Sequence, residues 1–178
     1  MSDHKLILYP KDPHAPAVER EQIEEPLRSA GFLGRPIEVV GEMRYRPASR
    51  FQKLLPFSGP SEPEHCTIEI SEAKDEIEFL GGANVEPPSC PVCGFNIEPW
   101  ADAVSAWFDD KEHFIACCPG CGSKARLWEL DWHHTNAFGR YTVEVWHVDL
   151  GDAAPSENLL HILRDTNGGE WDYFYYVL

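Results

Sequence analysis

Two short cysteine motifs place the strongest constraint on how this chain can fold. Residues 90–94 (CPVCG) and 118–122 (CPGCG) share the pattern C-P-x-C-G. Two residues between paired cysteines let both sulfur atoms reach one tetrahedral ion. The proline fixes φ for the tight turn, and the glycine tolerates a positive φ that turns backbone N–H groups towards the sulfurs. We therefore predict a zinc ribbon with one Zn²⁺, whose ligands are Cys90, Cys93, Cys118 and Cys121.

The predicted zinc is structural. A catalytic zinc keeps one position open for water, whereas four thiolates close the coordination shell. Cys117 is interpreted as a strand residue because only Cys118 gives the two-residue spacing, and Cys66 as a small buried residue. The sequence contains no G-x-S-x-G, no phosphate-binding glycine loop and no H-E-x-x-H. The chain is therefore not expected to be an enzyme.

Whether the six cysteines form disulfides or bind metal depends on the cellular compartment of the protein. The N-terminus has no basic stretch followed by a long apolar one, and no run of 18 apolar residues occurs. These features predict neither a secretory signal nor a transmembrane helix. We expect a cytoplasmic protein, in which paired Cys-x-x-Cys motifs indicate metal binding rather than disulfides.

Hydrophobic periodicity predicts a mixture of strands and helices. The predicted helices span residues 16–30, 48–55 and 156–166. The predicted strands span residues 5–9, 37–46, 138–148 and 171–178, with a hairpin formed by 67–70 and 76–80. Because these elements do not alternate as regular βαβ units, we predict an α+β fold: a mixed or antiparallel sheet with a few helices and the four-cysteine ribbon.

Three residue-level expectations refine this outline. Gly31 is placed to end the first helix, and Pro26 is expected to kink it or break it in two. The last strand is apolar on both faces, so we expect it to be covered rather than exposed.

Glycine and proline pairs divide the chain into three parts. Gly81-Gly82 and Pro87-Pro88 mark a linker. We expect an N-terminal α+β part at residues 1–88, the zinc ribbon at 89–130 and a strand-helix-strand part at 131–178. The last part is expected to pack with the rest as one compact unit.

A formal net charge of −15 indicates which kind of molecule this protein can bind. Such a charge repels nucleic acid and anionic membranes and attracts basic proteins, although it also serves simply to keep a protein in solution. Tryptophans beside carboxylates make good anchors for a basic protein. The predicted partner-binding residues are Asp102, Trp107, Asp109, Asp110, Glu112, Asp131 and Trp132. The alternative is that the tryptophans belong to the core and the acids are their solvent-facing neighbours.

A second charged region favours a different function. Residues 43–61 contain no acid and carry Arg44, Arg46, Arg50 and Lys53. Basic residues interleaved with aromatic ones can bind nucleic acid, or they can form an ordinary solvated face, which the net charge favours. Adjacent His133 and His134 are expected in a loop or at a strand end rather than at one shared ion.

The order of these motifs resembles a set of poorly characterised bacterial zinc-ribbon proteins. The similarity lies in the two knuckles, the acidic tryptophan-bearing stretch between them, and the segments 138–140 (FGR), 155–160 (PSENLL) and 171–175 (WDYFY). Acidic cytosolic proteins of this size also resemble immunity proteins, which neutralise toxins used between bacteria. The resemblance implies a binding protein that blocks a cationic, nuclease-type toxin. A nucleic-acid or transcription-machinery binding protein is the alternative.

Overall fold

The computed structural model describes residues 4–178 and shows an α+β fold built on antiparallel sheets. The strands are β1 (Lys5–Pro10), β2 (Leu33–Val39), β3 (Glu42–Pro47), β4 (Thr67–Ile70), β5 (Glu78–Gly81), β6 (Ala116–Cys117), β7 (Lys124–Ala125), β8 (Asn136–Gly139), β9 (Val143–Trp146) and β10 (Trp171–Tyr176). The helices are α1 (Arg20–Ser29), α2 (Phe51–Leu54), α3 (Trp100–Asp109) and α4 (Glu157–Asn167). Short 3-10 turns lie at Pro63–His65 and Leu127–Glu129.

A six-stranded sheet in the order β10-β1-β9-β4-β3-β2 forms the centre of the fold. Strand β1 pairs with β9 on one side and β10 on the other, although these strands are far from it in sequence. The sheet therefore joins the predicted N-terminal and C-terminal parts through one hydrogen-bonded ladder. Two small sheets, β5-β8 and β6-β7, complete the architecture.

Alternation along the strands separates two apolar layers. Leu6 and Leu8 face the larger core, which also contains the buried residues of α1 and α4. Ile7 points to the other side of the sheet, where it packs with Ala137 of β8 and Phe174 of β10. The prediction that the last strand is covered on both faces is confirmed, because Trp171 lies in the first core and Phe174 in the second.

Helix α1 shows how local signals set the ends of an element. It begins at Arg20 rather than at residue 16, because the Gln22 side chain accepts a hydrogen bond from the Glu19 N–H at 2.8 Å and caps the first turn. The helix continues through Pro26 without a break. It ends as predicted at Gly31, whose φ of 77° allows the Phe32 N–H to bond Leu27 C=O at 2.9 Å.

The predicted strand at 37–46 is wrong as a single strand. The chain turns back within it, so that Val39 of β2 faces Glu42 of β3 across a two-residue loop. Val40 and Gly41 both have positive φ, 50° and 82°, which is a type I′ turn. The sequence does not predict this turn, because Val40-Gly41 continues the alternating pattern and is not the Asn-Gly pair that is typical of a two-residue hairpin loop.

The predicted hairpin of 67–70 with 76–80 is also wrong. Strand β4 pairs with β3 and β9 in the central sheet, whereas β5 pairs with β8. The predicted strand at 138–148 is likewise two strands, because β8 pairs with β5 in the small sheet and β9 pairs with β4 in the large one. Periodicity reports which residues face inward, but it carries no information on which distant strand completes the ladder.

Residues 89–130, named the cysteine module below, have a small core of their own. Ile97, Val104 and Trp107 are buried there with Leu127, and Phe138 of β8 packs against them. Strand β8 thus links this core to the central sheet, since its Ala137 lies in the cluster with Ile7. No helix in the described part of the chain is both long and apolar enough to cross a membrane.

The turn at Val40 gives a prediction about stability. Val40 is 99% exposed at a φ of 50°, a conformation that is costly for a β-branched residue. Val40→Asn should raise the free energy of unfolding by about 1 kcal/mol, since asparagine adopts this conformation readily. Urea denaturation measures the change. Val40→Thr is the matched control: it adds polarity but keeps the β-branch, so it should give no comparable gain.

Candidate metal centre

The fold brings the four predicted metal ligands together at one point. The Sγ atoms of Cys90, Cys93, Cys118 and Cys121 all lie within 4.8 Å of one another. The Cys90–Cys121 and Cys93–Cys118 Sγ pairs are 3.8 and 3.6 Å apart. A tetrahedron with metal–sulfur bonds of about 2.3 Å has edges of about 3.8 Å. The four cysteines therefore form a group that could hold one metal ion.

The two knuckles have the same backbone structure. In the first, the Gly94 N–H bonds Cys90 C=O at 2.8 Å, and in the second the Gly122 N–H bonds Cys118 C=O at 2.9 Å. Both glycines have positive φ, 72° and 73°. A Cβ at either position would meet no other atom within 4 Å, so the backbone conformation rather than space favours glycine.

Residues beside the sulfur atoms favour negative charge on Cys90 and Cys121. The Ser123 hydroxyl lies 3.2 Å from Cys90 Sγ and 3.1 Å from Cys121 Sγ, and the Gly120 N–H donates to Cys118 Sγ at 3.3 Å. The contact with Ser123 is the main cause that lowers the pKa of the Cys90 thiol to about 6, and it lowers the pKa of Cys121 too. The single proton of the Ser123 hydroxyl can be donated to one of its two sulfur neighbours at a time, and together with the Gly120 N–H it stabilises the thiolate form that a metal requires.

Cys93 differs from Cys90 and Cys121. A backbone hydrogen bond from Phe95 lowers the pKa of its thiol, but contacts with the other three sulfurs outweigh that bond and raise the pKa to about 12.

The remaining cysteines lie outside this group, as predicted. Cys117 belongs to β6, and its Sγ is 3.7 Å from Gly122 C=O. Cys66 is fully buried in the large core, and burial raises the pKa of its thiol to about 12. A buried neutral thiol of this kind is a packing residue rather than a nucleophile.

Two of the predicted partner-binding residues are in the wrong place for that role. Trp107 is 0% exposed and Trp132 is 5% exposed. Both pack in the core of the cysteine module, and Trp132 Nε1 donates to Leu127 C=O at 2.8 Å. The amphipathic helix α3 turns Trp107 inward, so these rings hold the module together and offer no surface to a partner.

The five acidic residues of that set are exposed. Asp110 bonds His113 Nδ1 at 2.9 Å, and Asp131 accepts a hydrogen bond from the His133 N–H at 2.9 Å. No side-chain hydrogen bond or ion pair of Asp102, Asp109 or Glu112 is found within residues 4–178. The exposed acids are Asp102, Asp109, Asp110, Glu112 and Asp131.

The structure adds exposed apolar residues that are not in the predicted partner-binding set. Val92, Phe95, Phe108 and Ile115 are all exposed, by 73, 46, 53 and 49%. All belong to the cysteine module, whereas the sequence assigns the apolar contacts to Trp107 within the module and to Trp132 just after it. Helical periodicity could have placed Phe108 outside, since it follows the inward-facing Trp107 on α3.

The basic segment at 43–61 does not form a free cationic surface throughout. Arg44 is 7% exposed and lies between Glu42 and Glu69, with nitrogen–oxygen distances of 2.8 and 3.1 Å. Its guanidinium carbon also lies 3.9 Å from the centre of the Trp146 ring. Arg46, Arg50 and Lys53 are exposed. The most buried arginine is thus neutralised within the sheet.

His133 and His134 occupy a turn, as predicted, with φ of 53° and 56°. His133 Nε2 is 2.9 Å from Ser89 Oγ, and its Nδ1 is 3.6 Å from Asp131 Oδ1, which has the outline of a nucleophile triad. However, the Ser89 hydroxyl donates to Asn96 Oδ1 at 2.8 Å. In this arrangement His133 Nε2 donates to Ser89 instead of accepting its proton.

Comparisons of this chain with known protein families, curated proteins and solved structures found no match. The resemblance to bacterial zinc-ribbon proteins therefore stays a prediction beyond the geometry of the four cysteines.

The adjacent cysteines 117 and 118 provide a matched test of the metal ligands. Cys118→Ser removes one of the four sulfurs and should abolish stoichiometric metal and lower the melting temperature. Cys117→Ser lies one residue away, outside the group, and should retain one ion per chain. Elemental analysis of the purified variants measures the metal content. Equal metal in both variants would contradict the assigned ligand set.

Ser123 gives a finer prediction about affinity. Ser123→Ala deletes the hydroxyl beside Cys90 and Cys121 but leaves all four ligands in place. The affinity for the metal should fall by about 10- to 100-fold, as is typical when a partner of a ligand is lost. Competition with a chromogenic chelator measures it. Ser105→Ala, on the exposed side of α3, is the control and should leave the affinity unchanged.

Proposed function

We propose that the four cysteines bind one structural Zn²⁺. The sulfur–sulfur distances fit a tetrahedral ion, and cysteine thiolates are the usual ligands of structural zinc. Four thiolates leave no coordination position for water or substrate. The role that fits this closed shell is to hold the two knuckles together over α3, where the module's own apolar core is small.

The chain, in this proposal, is a binding protein that uses the cysteine module to engage a cationic protein. The observation that carries it is the surface of the module, where exposed carboxylates accompany exposed apolar side chains. Carboxylates steer a basic partner towards the surface, and apolar side chains supply contact area once it arrives. Phe95 and Phe108 are exposed and can make the apolar contacts with a partner that the buried tryptophans cannot make.

An inhibitor of a basic toxin is the specific role we favour. Such a protein acts by occlusion: its acidic and apolar side chains would fill a cleft that otherwise receives nucleic-acid phosphates. The net charge of −15 and the absence of any charge-neutralising partner for Asp102 and Asp109 within residues 4–178 support this mechanism. A cytoplasmic location and a non-catalytic role belong to the same proposal.

Nucleic-acid binding is the less supported alternative. It would require the basic segment at 43–61 to contact phosphates, but Arg44 is already paired with two glutamates. The exposed Arg46, Arg50 and Lys53 would have to act against the acidic field of the whole chain. A gel shift at low salt with micromolar protein tests this alternative directly, and we expect none.

Charge reversal tests the proposed binding surface. Four acids of α3 and the following loop are changed together: Asp102→Lys, Asp109→Lys, Asp110→Lys and Glu112→Lys. The association rate with the cognate partner should fall by at least about tenfold, and its dependence on salt should flatten, because long-range steering is lost. Stopped-flow or surface binding at several ionic strengths measures both. The partner is first obtained by comparing proteins retained by the wild-type chain and by this variant.

The control reverses the same number of exposed acids elsewhere: Glu25→Lys, Glu38→Lys, Glu157→Lys and Asp165→Lys. This variant has the same net charge but keeps the cysteine module intact. It should retain most of the association rate. Equal losses in both variants would show that only the total charge matters, and no loss in either would remove the electrostatic argument.

A further inference from the structure

A cleft lies between the cysteine module and the edge of the central sheet, and none of the four clustered cysteines is among its lining residues. Its volume is about 320 Å³, at the lower end of small-molecule sites. One wall is the segment that follows the 3-10 turn at Leu127–Glu129, and the other is formed by β1 and β10. Pro91 of the first knuckle also lines it.

Strand register places acidic and aromatic groups side by side in this cleft. Tyr9 of β1 lies directly opposite Asp172 of β10, so both side chains point to the face that the module covers. Asp131 enters from the other wall, held by backbone hydrogen bonds of 2.7 and 3.0 Å with Ser89. Burial raises the pKa of Tyr9, and the carboxylates of Asp172 and Asp131 raise it further. The cleft therefore has a negative field.

One buried polar side chain in the cleft lacks a partner. Asn136, which lines it, is 2% exposed, and neither atom of its side-chain amide has a hydrogen-bond partner among the described residues. An unsatisfied buried amide costs about 1–3 kcal/mol, so such a group needs a reason to be there. A ligand or an ordered water that reaches Asn136 would satisfy it.

The walls of the cleft are held in place by a strained turn. His133 and His134 both adopt positive φ, which is uncommon outside glycine. The conformation is held by β10: His134 Nδ1 donates to Tyr173 C=O at 2.6 Å, the Tyr175 N–H donates to His134 C=O at 2.9 Å, and the His134 and Tyr173 rings stack at 4.4 Å. Strain that neighbouring contacts maintain is typical of binding sites.

We propose that this cleft binds a planar organic cation, a guanidinium group, against Asp131 and Asp172. A guanidinium matches carboxylates with its fork of N–H donors and stacks on aromatic rings, and the partly exposed rings of Tyr9 and Trp128 provide such a surface here. A guanidinium has five N–H donors, more than two carboxylates require, so one of them can also bond the unpartnered Oδ1 of Asn136. The inference does not depend on the α3 acids that carry the proposed protein-binding surface, although Asp131 belongs to both sets of residues.

Lys11 is the natural competitor of such a ligand. Its Nζ lies 3.8 Å from Asp172 Oδ2, and its side chain is 58% exposed. An exposed pair at this distance contributes little, so an incoming guanidinium can displace the lysine. Removing Lys11 should therefore strengthen binding rather than weaken it, which a purely structural role for Asp172 would not produce.

The test uses the metal-loaded chain and small probes, so that no protein partner is needed. N-acetyl-arginine amide should bind with a dissociation constant on the order of 1 mM or tighter. N-acetyl-citrulline amide, which has the same shape without the charge, should bind at least about tenfold more weakly. Shifts of the Trp128 and Trp132 indole N–H signals in ¹H–¹⁵N spectra report on the cleft, and the buried Trp107 serves as the internal reference.

Two variants and a control connect the binding to the named residues. Asp172→Asn should weaken binding of the arginine probe at least about tenfold, and Lys11→Ala should strengthen it about two- to fivefold. Asp165→Asn on the distant helix α4 should change nothing. Thermal melting confirms that each variant is folded. The charge-reversed variant of α3 should bind the probe like the wild type, which separates this inference from the proposed protein-binding surface.

Agmatine distinguishes the two sources of a guanidinium. Equal binding of agmatine and the capped arginine indicates a cleft that accepts an arginine side chain of a protein, whereas binding of agmatine alone indicates a free small molecule. Either result supports the proposal. Absence of binding by both, equal binding of the citrulline probe, or an unchanged affinity in folded Asp172→Asn would overturn it.

Discussion

The convergence of four cysteine sulfurs within 4.8 Å is the constraint on which the rest of the cysteine module depends. Four thiolates this close repel one another unless protons or a metal neutralise them. The Ser123 hydroxyl favours the charged form of Cys90 and Cys121, whereas Cys93 keeps its proton to higher pH because of the neighbouring sulfurs. Once the knuckles are fixed, α3 and the strands β6 and β7 can enclose a core around Trp107 that is too small to hold them alone.

The influence of this module extends to the central sheet. Strand β8 belongs to the small sheet with β5, yet its Phe138 packs in the module's core and its Ala137 against β1 and β10. The turn at His133 and His134 then bonds the outer edge of β10. An exposed sheet edge is a site of unwanted pairing, so this cover protects the fold at the same time as it forms one wall of the cleft.

Charge is distributed differently over the two halves of the molecule. On the central sheet, acids and bases neutralise each other: Lys5 lies 2.6 Å from Glu144, and Arg44 lies 3.1 Å from Glu69, with Trp146 between the two cations. On the cysteine module, exposed carboxylates such as Asp102 and Asp109 have no such counterpart within residues 4–178. The module holds six acids against three Lys or Arg, a balance of −3 out of the chain's −15, so it supplies only part of the field of the protein. Its exposed acids nevertheless lie in the same segment as the exposed apolar side chains, which is the arrangement a basic partner would use.

The sequence by itself determined the four cysteines that cluster, the α+β class and most inward-facing residues. These depend on local spacing: two residues between cysteines, a period of two in strands, and glycine where φ must be positive, as at Gly31. Only the tertiary structure decided that β4 pairs with β9 instead of β5, that Trp107 and Trp132 are internal, and that Tyr9, Asp131 and Asp172 meet in one cleft. Those outcomes depend on which distant strands pair with each other. The sequence does not specify this, because the backbone hydrogen bonds of a ladder are the same whichever strand supplies them.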